Sequence, residues 1–311
     1  MTKDKQIACV TGASGMIGSK IVRQLLSGGY RVRVLTRDQA ENDLDVDVYH
    51  GGLDDEKILP AFVNDADILF HAAAELRNEH KMWEVNVLGT KRLLNFVKKS
   101  NIRYFCYLSS AGVVGLTQRK WVDEEVECNP QNTYEESKWA AEQMIVSGID
   151  DCQTVILRPT NVVDEEYPGA LNLPMSRSWK NRFTVFLKGG ECAHIVHAED
   201  VAAAAMHFVS HSDDTCRSFF VSCDHEPLNT FAGLWSLYIA AMNNRPLEPV
   251  RPIPHLPLIV PYILRKIWRG SGNRGDVRYS SEKLISEGFK FPLGLRESIR
   301  RIASTRDIRR S

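Results

Sequence analysis

The chain of 311 residues lacks an excess of either charge, since its 39 Lys and Arg residues equal its 39 Asp and Glu residues. It therefore lacks the overall basic charge that is typical of nucleic-acid-binding proteins. No apolar run is long enough to cross a bilayer, and the polar start at residues 2–5 has no feature of a signal peptide. From these absences we expect a cytoplasmic protein with no nucleic-acid partner and no transmembrane segment.

The seven cysteines are scattered, and none shows the C-x-x-C or related spacing of metal ligands. The sequence therefore predicts no metal site, and the cysteines are typical of small buried residues in a reducing compartment. Internal repeats and low-complexity tracts are also absent. The length then indicates one large domain with a smaller addition.

Charge is distributed unevenly along the chain. From Arg251 onward there are 14 Lys and Arg residues against 5 Asp and Glu residues. This basic tail fits an anionic ligand or a membrane surface. A solvated basic helix is the other interpretation, and it is the one that the sequence favours.

The most informative segment is a short apolar strand at 7–10 that leads into T-G-A-S-G-M-I-G and then into a helical pattern. In such a turn Gly12 permits the tight bend, Gly15 lets the backbone approach a pyrophosphate, and Gly18 lets the helix pack against the strand. The N–H groups and dipole of the helix N-terminus attract the anion. The segment predicts a dinucleotide-phosphate site, with an ordinary strand-to-helix turn as the alternative.

Strand and helix patterns alternate through the first half of the chain. Strands are predicted at 7–10, 31–36, 46–49, 68–71, 104–109 and 154–158, and helices at 83–99 and 133–147. This alternation predicts an α/β fold with a doubly wound parallel sheet, the Rossmann fold.

Beyond Pro159 the alternation fails. Residues 164–191 are rich in loop-forming residues, and only a short strand at 195–196 and a helix at 201–209 follow. We therefore predict a dinucleotide-binding Rossmann domain of residues 1–163 plus 192–225. A smaller C-terminal substrate-binding lobe would consist of residues 164–191 plus 226–311.

A candidate acid/base pair lies on the helix predicted at 133–147. Tyr134 and Lys138 are four residues apart, so their side chains share one face. A nearby ammonium group lowers the pKa of a phenol, which suits proton transfer to or from a secondary alcohol or ketone. Any helix with a surface Tyr and Lys provides this pattern. However, Ser109 and Ser110 end the fifth strand at the same predicted sheet edge.

Seven motifs occur in order over residues 7–202: T-G-A-S-G-M-I-G, H-A-A-A, N-V-L-G-T, Y-L-S-S-A-G-V-V-G, Y-E-E-S-K, L-R-P and H-I-V-H-A-E-D-V-A. With them the chain resembles an extended short-chain dehydrogenase/reductase, a family that includes NAD(P)-dependent sugar epimerases and dehydratases. The resemblance implies that Tyr134 donates and accepts the proton. Lys138 would bind the nicotinamide ribose and tune Tyr134, and Ser110 would hydrogen-bond the substrate oxygen.

The resemblance also implies further contacts. For the cofactor these are Gly12, Ser14, Gly15, Met16, Ile17, Gly18, Arg37, Leu53, Ala72, Ala73, Ala74, Asn86, Tyr134, Lys138 and Pro159. For the substrate they are Ser110, Asn161 and Asn172. Asn86 would mainly support the site, His71 would have no catalytic role, and His197 and Asp200 would hold the junction between the lobes. By analogy with the family we expect a homodimer.

The residue that ends the second strand bears on the choice of cofactor. Thr36 stands where NAD enzymes of the family place an acidic residue, and Arg37 follows it. Because arginine suits the 2′-phosphate of NADP, we expect NADP(H), with NAD as the alternative. Gly52 stands where the family often has an Asp that contacts adenine, so that contact would have to come from elsewhere.

The substrate indications conflict. Asn161 and Asn172 match positions that nucleotide-sugar enzymes use, yet Ala193 stands where those enzymes commonly place an arginine. Ala111 and Gly112 replace the Asp-Glu pair of the dehydratases, so simple dehydration is not expected. The first prediction is a 4-epimerase or 4-ketoreductase of a nucleotide-sugar-like substrate.

Two other functions remain open. The apolar segment 256–268 resembles dihydroflavonol-reductase-like and 3β-hydroxysteroid-dehydrogenase-like members, which predicts a reductase or dehydrogenase of an apolar ketone. The last alternative is a non-catalytic NADP(H)-binding sensor.

Overall fold

The protein was analysed as a computed structural model that describes residues 5–38, 44–147, 149, 151–166, 173, 178–211, 215–248, 253–269, 273 and 275–308. Its strands are β1 (Ile7–Thr11), β2 (Arg31–Thr36), β3 (Asp47–His50), β4 (Ile68–His71), β5 (Tyr104–Leu108), β6 (Trp121–Val122), β7 (Gln153–Pro159), β8 (Asn161–Val163), β9 (Ile195–His197), β10 (Cys216–Val221) and β11 (Arg278–Tyr279).

The α-helices are α1 (Met16–Ser27), α2 (Leu59–Val63), α3 (Glu79–Met82), α4 (Thr90–Val97), α5 (Thr133–Val146), α6 (Trp179–Lys188), α7 (Ala198–His207), α8 (Phe231–Met242), α9 (Ile259–Arg269), α10 (Glu282–Ser286) and α11 (Gly294–Ile308). A π-helical segment, Trp83–Gly89, joins α3 to α4. A 3₁₀ turn, Ala111–Val114, follows β5.

Seven strands form one sheet in the order β10-β7-β5-β4-β1-β2-β3. Parallel pairing joins β7, β5, β4, β1, β2 and β3, and β1 has β2 and β4 as its two neighbours. Strands such as β4 and β5 are buried at every position, as expected when helices cover both faces of a parallel sheet. The doubly wound Rossmann fold predicted from the sequence is confirmed. The strand order reverses between β1 and β4, where ligands of such sheets bind.

The chain divides into two compact units. The first comprises residues 1–115, 128–158 and 201–219, and the second comprises residues 116–127, 159–200 and 220–311. The core of the first unit is formed by apolar residues that include Leu59, Phe62, Leu93, Phe105 and Ile156. The sequence-based boundaries had placed residues 116–127, 159–163, 192–200 and 220–225 with the dinucleotide-binding domain, whereas they belong to the second unit. The functions assigned to the two parts stay predictions.

Several elements were not predicted. Helix α6 lies within the segment 164–191 that was expected to be loop-rich, and its start is capped by the Ser178 hydroxyl, which accepts the Asn181 N–H. The helix expected at 83–99 begins earlier, at Glu79, and has a π-helical middle. Cys216 is exposed at the first position of β10, so the expectation of buried cysteines is wrong there. In the described part of the chain, no helix is both long and apolar enough to cross a membrane.

Candidate active site

The turn after β1 leaves no room for side chains on its glycines. Gly12 has φ +70°, and a Cβ added there would lie 2.6 Å from the backbone nitrogen of Ala73. A Cβ on Gly18 would overlap the Gly12 carbonyl oxygen, and one on Gly15 would lie 3.1 Å from the same oxygen. Only glycine therefore allows α1 to start this close to the end of β1.

The N-terminus of α1 is suited to an anion. Gly15 is its N-cap in an extended conformation, no side chain caps the helix, and no acidic residue lies in its first turn. The first-turn N–H groups and the helix dipole therefore face the turn without a competing side chain. The uncapped N-terminus of α1, with no acidic residue in its first turn, fits the pyrophosphate of a nicotinamide dinucleotide, the cofactor that this fold implies.

Arg37 lies just beyond the end of β2 and is exposed. No salt bridge to a described residue holds its guanidinium, and a Cβ added to Gly52 would lie 3.4 Å from its Cδ. The Thr36 hydroxyl accepts the Asp38 N–H at 3.0 Å, which fixes the turn that carries Arg37. The arginine is therefore available to an anionic group beside the Gly52 loop.

A buried chain of hydrogen bonds starts at the end of β1. Thr11 Oγ1 accepts the Ala73 N–H at 3.3 Å and lies 2.7 Å from His71 Nδ1. The other ring nitrogen, Nε2, lies 2.9 Å from Thr90 Oγ1, and the Thr90 hydroxyl donates to the Asn86 carbonyl at 2.6 Å. Because Thr90 uses its proton there, we assign the ring proton of His71 to Nε2, and Nδ1 accepts from Thr11.

His71 is fully buried and remains neutral, because burial lowers the pKa of its imidazole to about 3, with Lys138 as a smaller cause. The chain of hydrogen bonds thus connects the glycine-rich turn to the π-helical segment without a charge. This arrangement supports a structural role for His71, as the sequence analysis expected.

Asn86 continues the connection toward α5. Its Oδ1 accepts the Glu75 N–H at 2.7 Å, and its Nδ2 donates to the Glu75 carbonyl at 3.1 Å and to Ser137 Oγ at 2.9 Å. Ser137 in turn donates to the Tyr134 carbonyl at 2.7 Å. The carboxamide is therefore fully used inside the protein, and Asn86 positions the turn of α5 that carries Tyr134. A contact between Asn86 and the cofactor stays a prediction.

Helix α5 begins in a way that fixes Tyr134. The N-cap Asn132 accepts the Glu135 N–H at 3.0 Å, and the Glu135 carboxylate accepts the Gln131 N–H at 2.7 Å. These reciprocal bonds satisfy donors at the helix start, and acidic residues in the first turn complement its dipole.

Ser110 and Tyr134 meet at the partly exposed edge of the first unit. The Ser110 hydroxyl accepts the Gly112 N–H at 3.1 Å and lies close enough to the Tyr134 phenol to act on its pKa. Burial raises the pKa of Tyr134 to about 12, while the Ser110 hydroxyl has the opposite, smaller effect. The expectation that Lys138 makes the Tyr134 pKa fall is thus wrong for this structure, because desolvation dominates.

Lys138 is 2% exposed and lies on α5, one turn after Tyr134. Its Nζ donates to the Leu108 carbonyl at 2.6 Å and lies 4.2 Å from the ring centre of Tyr107. Burial lowers the pKa of Lys138 to about 7, and the Glu142 carboxylate opposes this shift. Glu142 is itself held by Arg158 through hydrogen bonds of 2.7–3.2 Å. An anionic neighbour therefore supports the buried ammonium group.

The other predicted cofactor positions in the first unit are small or apolar. Ala72, Ala73 and Ala74 are partly exposed after β4, and the Ala72 N–H donates to the Thr11 carbonyl at 3.2 Å. Leu53 is buried, and a Cβ on Gly89 would lie 2.9 Å from its Cβ. Their contacts with a cofactor stay predictions, as do those of Ser14, Met16 and Ile17.

The remaining predicted site residues belong to the second unit. Pro159 ends β7, and the Asn161 N–H donates to the His194 carbonyl at 2.8 Å as β8 pairs with β9. Asp200 accepts the N–H groups of residues 293 and 294 at 2.8 and 3.0 Å, which caps the start of α11. His197 is fully buried, and its Nε2 lies 3.6 Å from Oε2 of Glu165. The junction role of Asp200 and His197 stays a prediction, and Asn172 lies outside the described residues.

Sequence reasoning missed the polar residues that support the candidate site. Thr11, Thr90, Ser137 and Arg158 lie within the quoted motifs but were given no role, and Glu142 belongs to none of the motifs. Ser109 was noted only as a neighbour, and its buried hydroxyl has no hydrogen-bond partner among the described residues. Membership in the motifs was the signal that could have identified the first four, whereas nothing in the sequence singled out Glu142.

The chain is similar to proteins with different recorded activities. It is 28% identical over 168 residues to sterol demethylase protein B of Methylococcus capsulatus, covering 50% of this chain and 51% of that protein. It is 30% identical over 219 residues to a putative UDP-glucose 4-epimerase of Methanocaldococcus jannaschii, covering 63% of this chain and 70% of that protein. The matches to sterol demethylase protein B and the next two curated relatives span only about half the length of those proteins.

Among solved structures, the fold resembles that of MoeE5 in complex with UDP-glucose and NAD, with a TM-score of 0.68 and 22% identity over 98% of this chain and 99% of that one. Residues 8–219 match the model of the NAD dependent epimerase/dehydratase family. This match includes the glycine-rich turn, Ser110, Tyr134 and Lys138. The chain therefore belongs to the NAD-dependent epimerase/dehydratase family.

Proposed function

We propose that the protein is an NAD(P)-dependent oxidoreductase or epimerase that acts on a secondary alcohol or ketone. The observation that carries the proposal is the proximity of the Ser110 and Tyr134 hydroxyl groups at the edge of the first unit, with the buried Lys138 one turn after Tyr134 on α5. A bound nicotinamide cofactor would supply or accept the hydride. A sensor that only binds the cofactor has no need of this hydroxyl pair.

Tyr134 is proposed to pass the proton. Its raised pKa keeps the phenol protonated at neutral pH, so it is ready to donate to a developing alkoxide. Ser110, oriented by the Gly112 N–H, would hydrogen-bond the same substrate oxygen. Lys138 would hold the nicotinamide ribose and supply positive charge beside the phenol.

The proposed cofactor is NADP(H), with Arg37 as the group that recognises the 2′-phosphate. Replacing Arg37 by Ser is expected to weaken NADPH binding about 10- to 100-fold, because one charge-assisted contact is lost. NADH binding should change little. Titration of each cofactor by intrinsic fluorescence measures both affinities.

Arg31→Ser is the matched control, since Arg31 is an exposed arginine at the start of β2, the strand that Arg37 follows. Arg31 forms an ion pair with Asp47, with 2.7 Å between Nε and Oδ2. The Arg31→Ser change should leave both affinities unchanged. Equal affinity of the Arg37→Ser variant and the wild type for NADPH would refute the assignment of the 2′-phosphate to Arg37.

A nucleotide-sugar-like substrate remains the first proposal for this site. Asn161 lies on β8 beside β9, and the names of the Methanocaldococcus jannaschii relative and of the MoeE5 complex both include a UDP-sugar. An apolar ketone is the second proposal. It is favoured by Ala193, which is fully buried and offers no cation where an arginine would face a diphosphate, and by the sterol relative.

Thermal shift distinguishes the two substrate classes. If the first proposal is correct, a UDP- or GDP-sugar should raise the melting temperature by several degrees, since a ligand at 100 times its Kd stabilises by about 2.7 kcal/mol. Free UDP and the matching free sugar serve as controls. Stabilisation by steroid or flavonoid ketones, and none by nucleotide sugars, would replace the first proposal by the second.

We further propose that the protein acts in the cytoplasm as a homodimer that binds a small-molecule substrate and no nucleic acid. This proposal rests on the family analogy and on the sequence features given above.

A further inference from the structure

Two helices of the second unit expose apolar stripes. On α6 the stripe is Trp179, Phe183 and Phe186, and on α9 it is Ile259, Ile263, Leu264 and Ile267. Within each helix these residues recur at spacings of three and four, so they share a face. Trp179 is 72% exposed and Ile267 is 71% exposed, although residues of these types are usually buried. We call these seven side chains the apolar surface.

The two stripes lie on neighbouring helices. The segment that leads into α9 is tied to α6, because the Leu256 N–H donates to the Phe186 carbonyl at 2.8 Å. Gly189 and Gly190, which follow α6, pack against His255 and Leu258. The same half of the second unit therefore presents aromatic and aliphatic side chains together.

The charges on these helices are all of one sign. Neither α6 nor α9 contains an acidic residue, and their basic residues are Lys180, Arg182, Lys188, Arg265, Lys266 and Arg269. Arg265 forms an ion pair with Glu191. The side chains of Lys180, Arg182, Lys188 and Lys266 are exposed, and none forms a salt bridge within the described ranges. The apolar surface is thus bordered by exposed basic side chains that have no acidic partner in the part of the chain that the structure describes.

We propose that the apolar surface docks on the interface of an anionic lipid bilayer, with the aromatic and aliphatic side chains entering the headgroup boundary. Helices with an exposed apolar face and a basic border bind membranes in this way. A second copy of this chain is a poor occupant of the apolar surface. A two-fold contact there would bring the basic side chains that border the surface on the two copies close together, and these like charges would repel. The proposal goes beyond the proposed activity and does not depend on it.

Co-sedimentation with vesicles tests the proposal on the full chain. Wild-type protein should sediment with vesicles of phosphatidylcholine plus phosphatidylglycerol and should remain largely in the supernatant with phosphatidylcholine alone. The Ile263→Glu/Ile267→Glu variant should partition at least about tenfold more weakly, because two apolar insertions are lost. Lys180→Gln/Lys266→Gln should lose about fivefold per lysine at low salt, and high salt should weaken wild-type binding.

Ile285→Glu is the matched control, since Ile285 is an exposed isoleucine on α10 that lies outside the apolar surface. It should bind vesicles as wild type does, and circular dichroism should show that all variants are folded. Absence of wild-type binding to anionic vesicles, equal binding to neutral ones, or full binding by the Ile263→Glu/Ile267→Glu variant would each overturn the proposal. Light scattering could instead show that the wild type is a dimer and the Ile263→Glu/Ile267→Glu variant a monomer. Together with an absence of wild-type vesicle binding, this result would assign the apolar surface to a second copy of the chain.

Discussion

Replacing Tyr134 by Phe is expected to lower kcat by about 10²- to 10⁴-fold, the range found when a positioned acid/base group is removed. The change deletes one oxygen atom and leaves the ring in place. Since burial raises the pKa of this phenol to about 12, the wild-type group is protonated at neutral pH and can act as the proton donor. Cofactor affinity should change by less than about threefold, because the phenol is only one of many proposed contacts.

The measurement is steady-state turnover on a substrate found by the thermal-shift screen, together with direct titration of NADPH. Tyr238→Phe provides the control. Tyr238 is a buried tyrosine of α8 whose hydroxyl has no hydrogen-bond partner among the described residues, so its removal costs little. The kcat of the Ser110→Ala variant should lie between those of the Tyr134→Phe and Tyr238→Phe variants. Full activity of the Tyr134→Phe variant would exclude the proposed proton transfer.

Local signals explain why the sequence predicted the sheet well. Strands β2 and β4 occur with the predicted bounds, because β2 is rich in β-branched residues and β4 is a short apolar run that ends at His71 before three alanines. The need for glycine in the turn after β1 was equally clear from the sequence. Gly12 has a positive φ, and Gly18 packs against the Gly12 carbonyl oxygen only six residues away.

The supporting network could not be predicted from the sequence in the same way. His71 contacts Thr11 and Thr90, which are 60 and 19 residues away in the chain. Such pairs meet only because β1 and β4 are neighbours and α4 begins with a buried Thr90. The sequence also gave the wrong direction for the Tyr134 pKa, because spacing reveals a neighbouring charge and does not reveal how much water is excluded.

Lys138 connects activity with stability. At neutral pH the buried ammonium group is costly, since burial lowers its pKa from the ordinary 10.5 to about 7. Replacing Lys138 by Met, which has a similar length, is expected to increase the free energy of unfolding by about 1–4 kcal/mol. The same change should also reduce kcat at least about 100-fold, because the amine that is proposed to hold the nicotinamide ribose is lost.

The pH dependence of this gain provides a second, independent readout. Between about pH 7 and pH 10 the unfolded chain keeps the Lys138 proton and the folded wild type has lost it, so wild-type stability rises with pH in this window. The Met variant lacks this contribution, and its advantage should therefore be largest below about pH 7 and should shrink toward pH 10. Urea unfolding at several pH values measures the difference, with Lys91→Met, at an exposed lysine of α4, as the control. A stability difference that did not change with pH would show that Lys138 keeps an ordinary pKa in the folded protein.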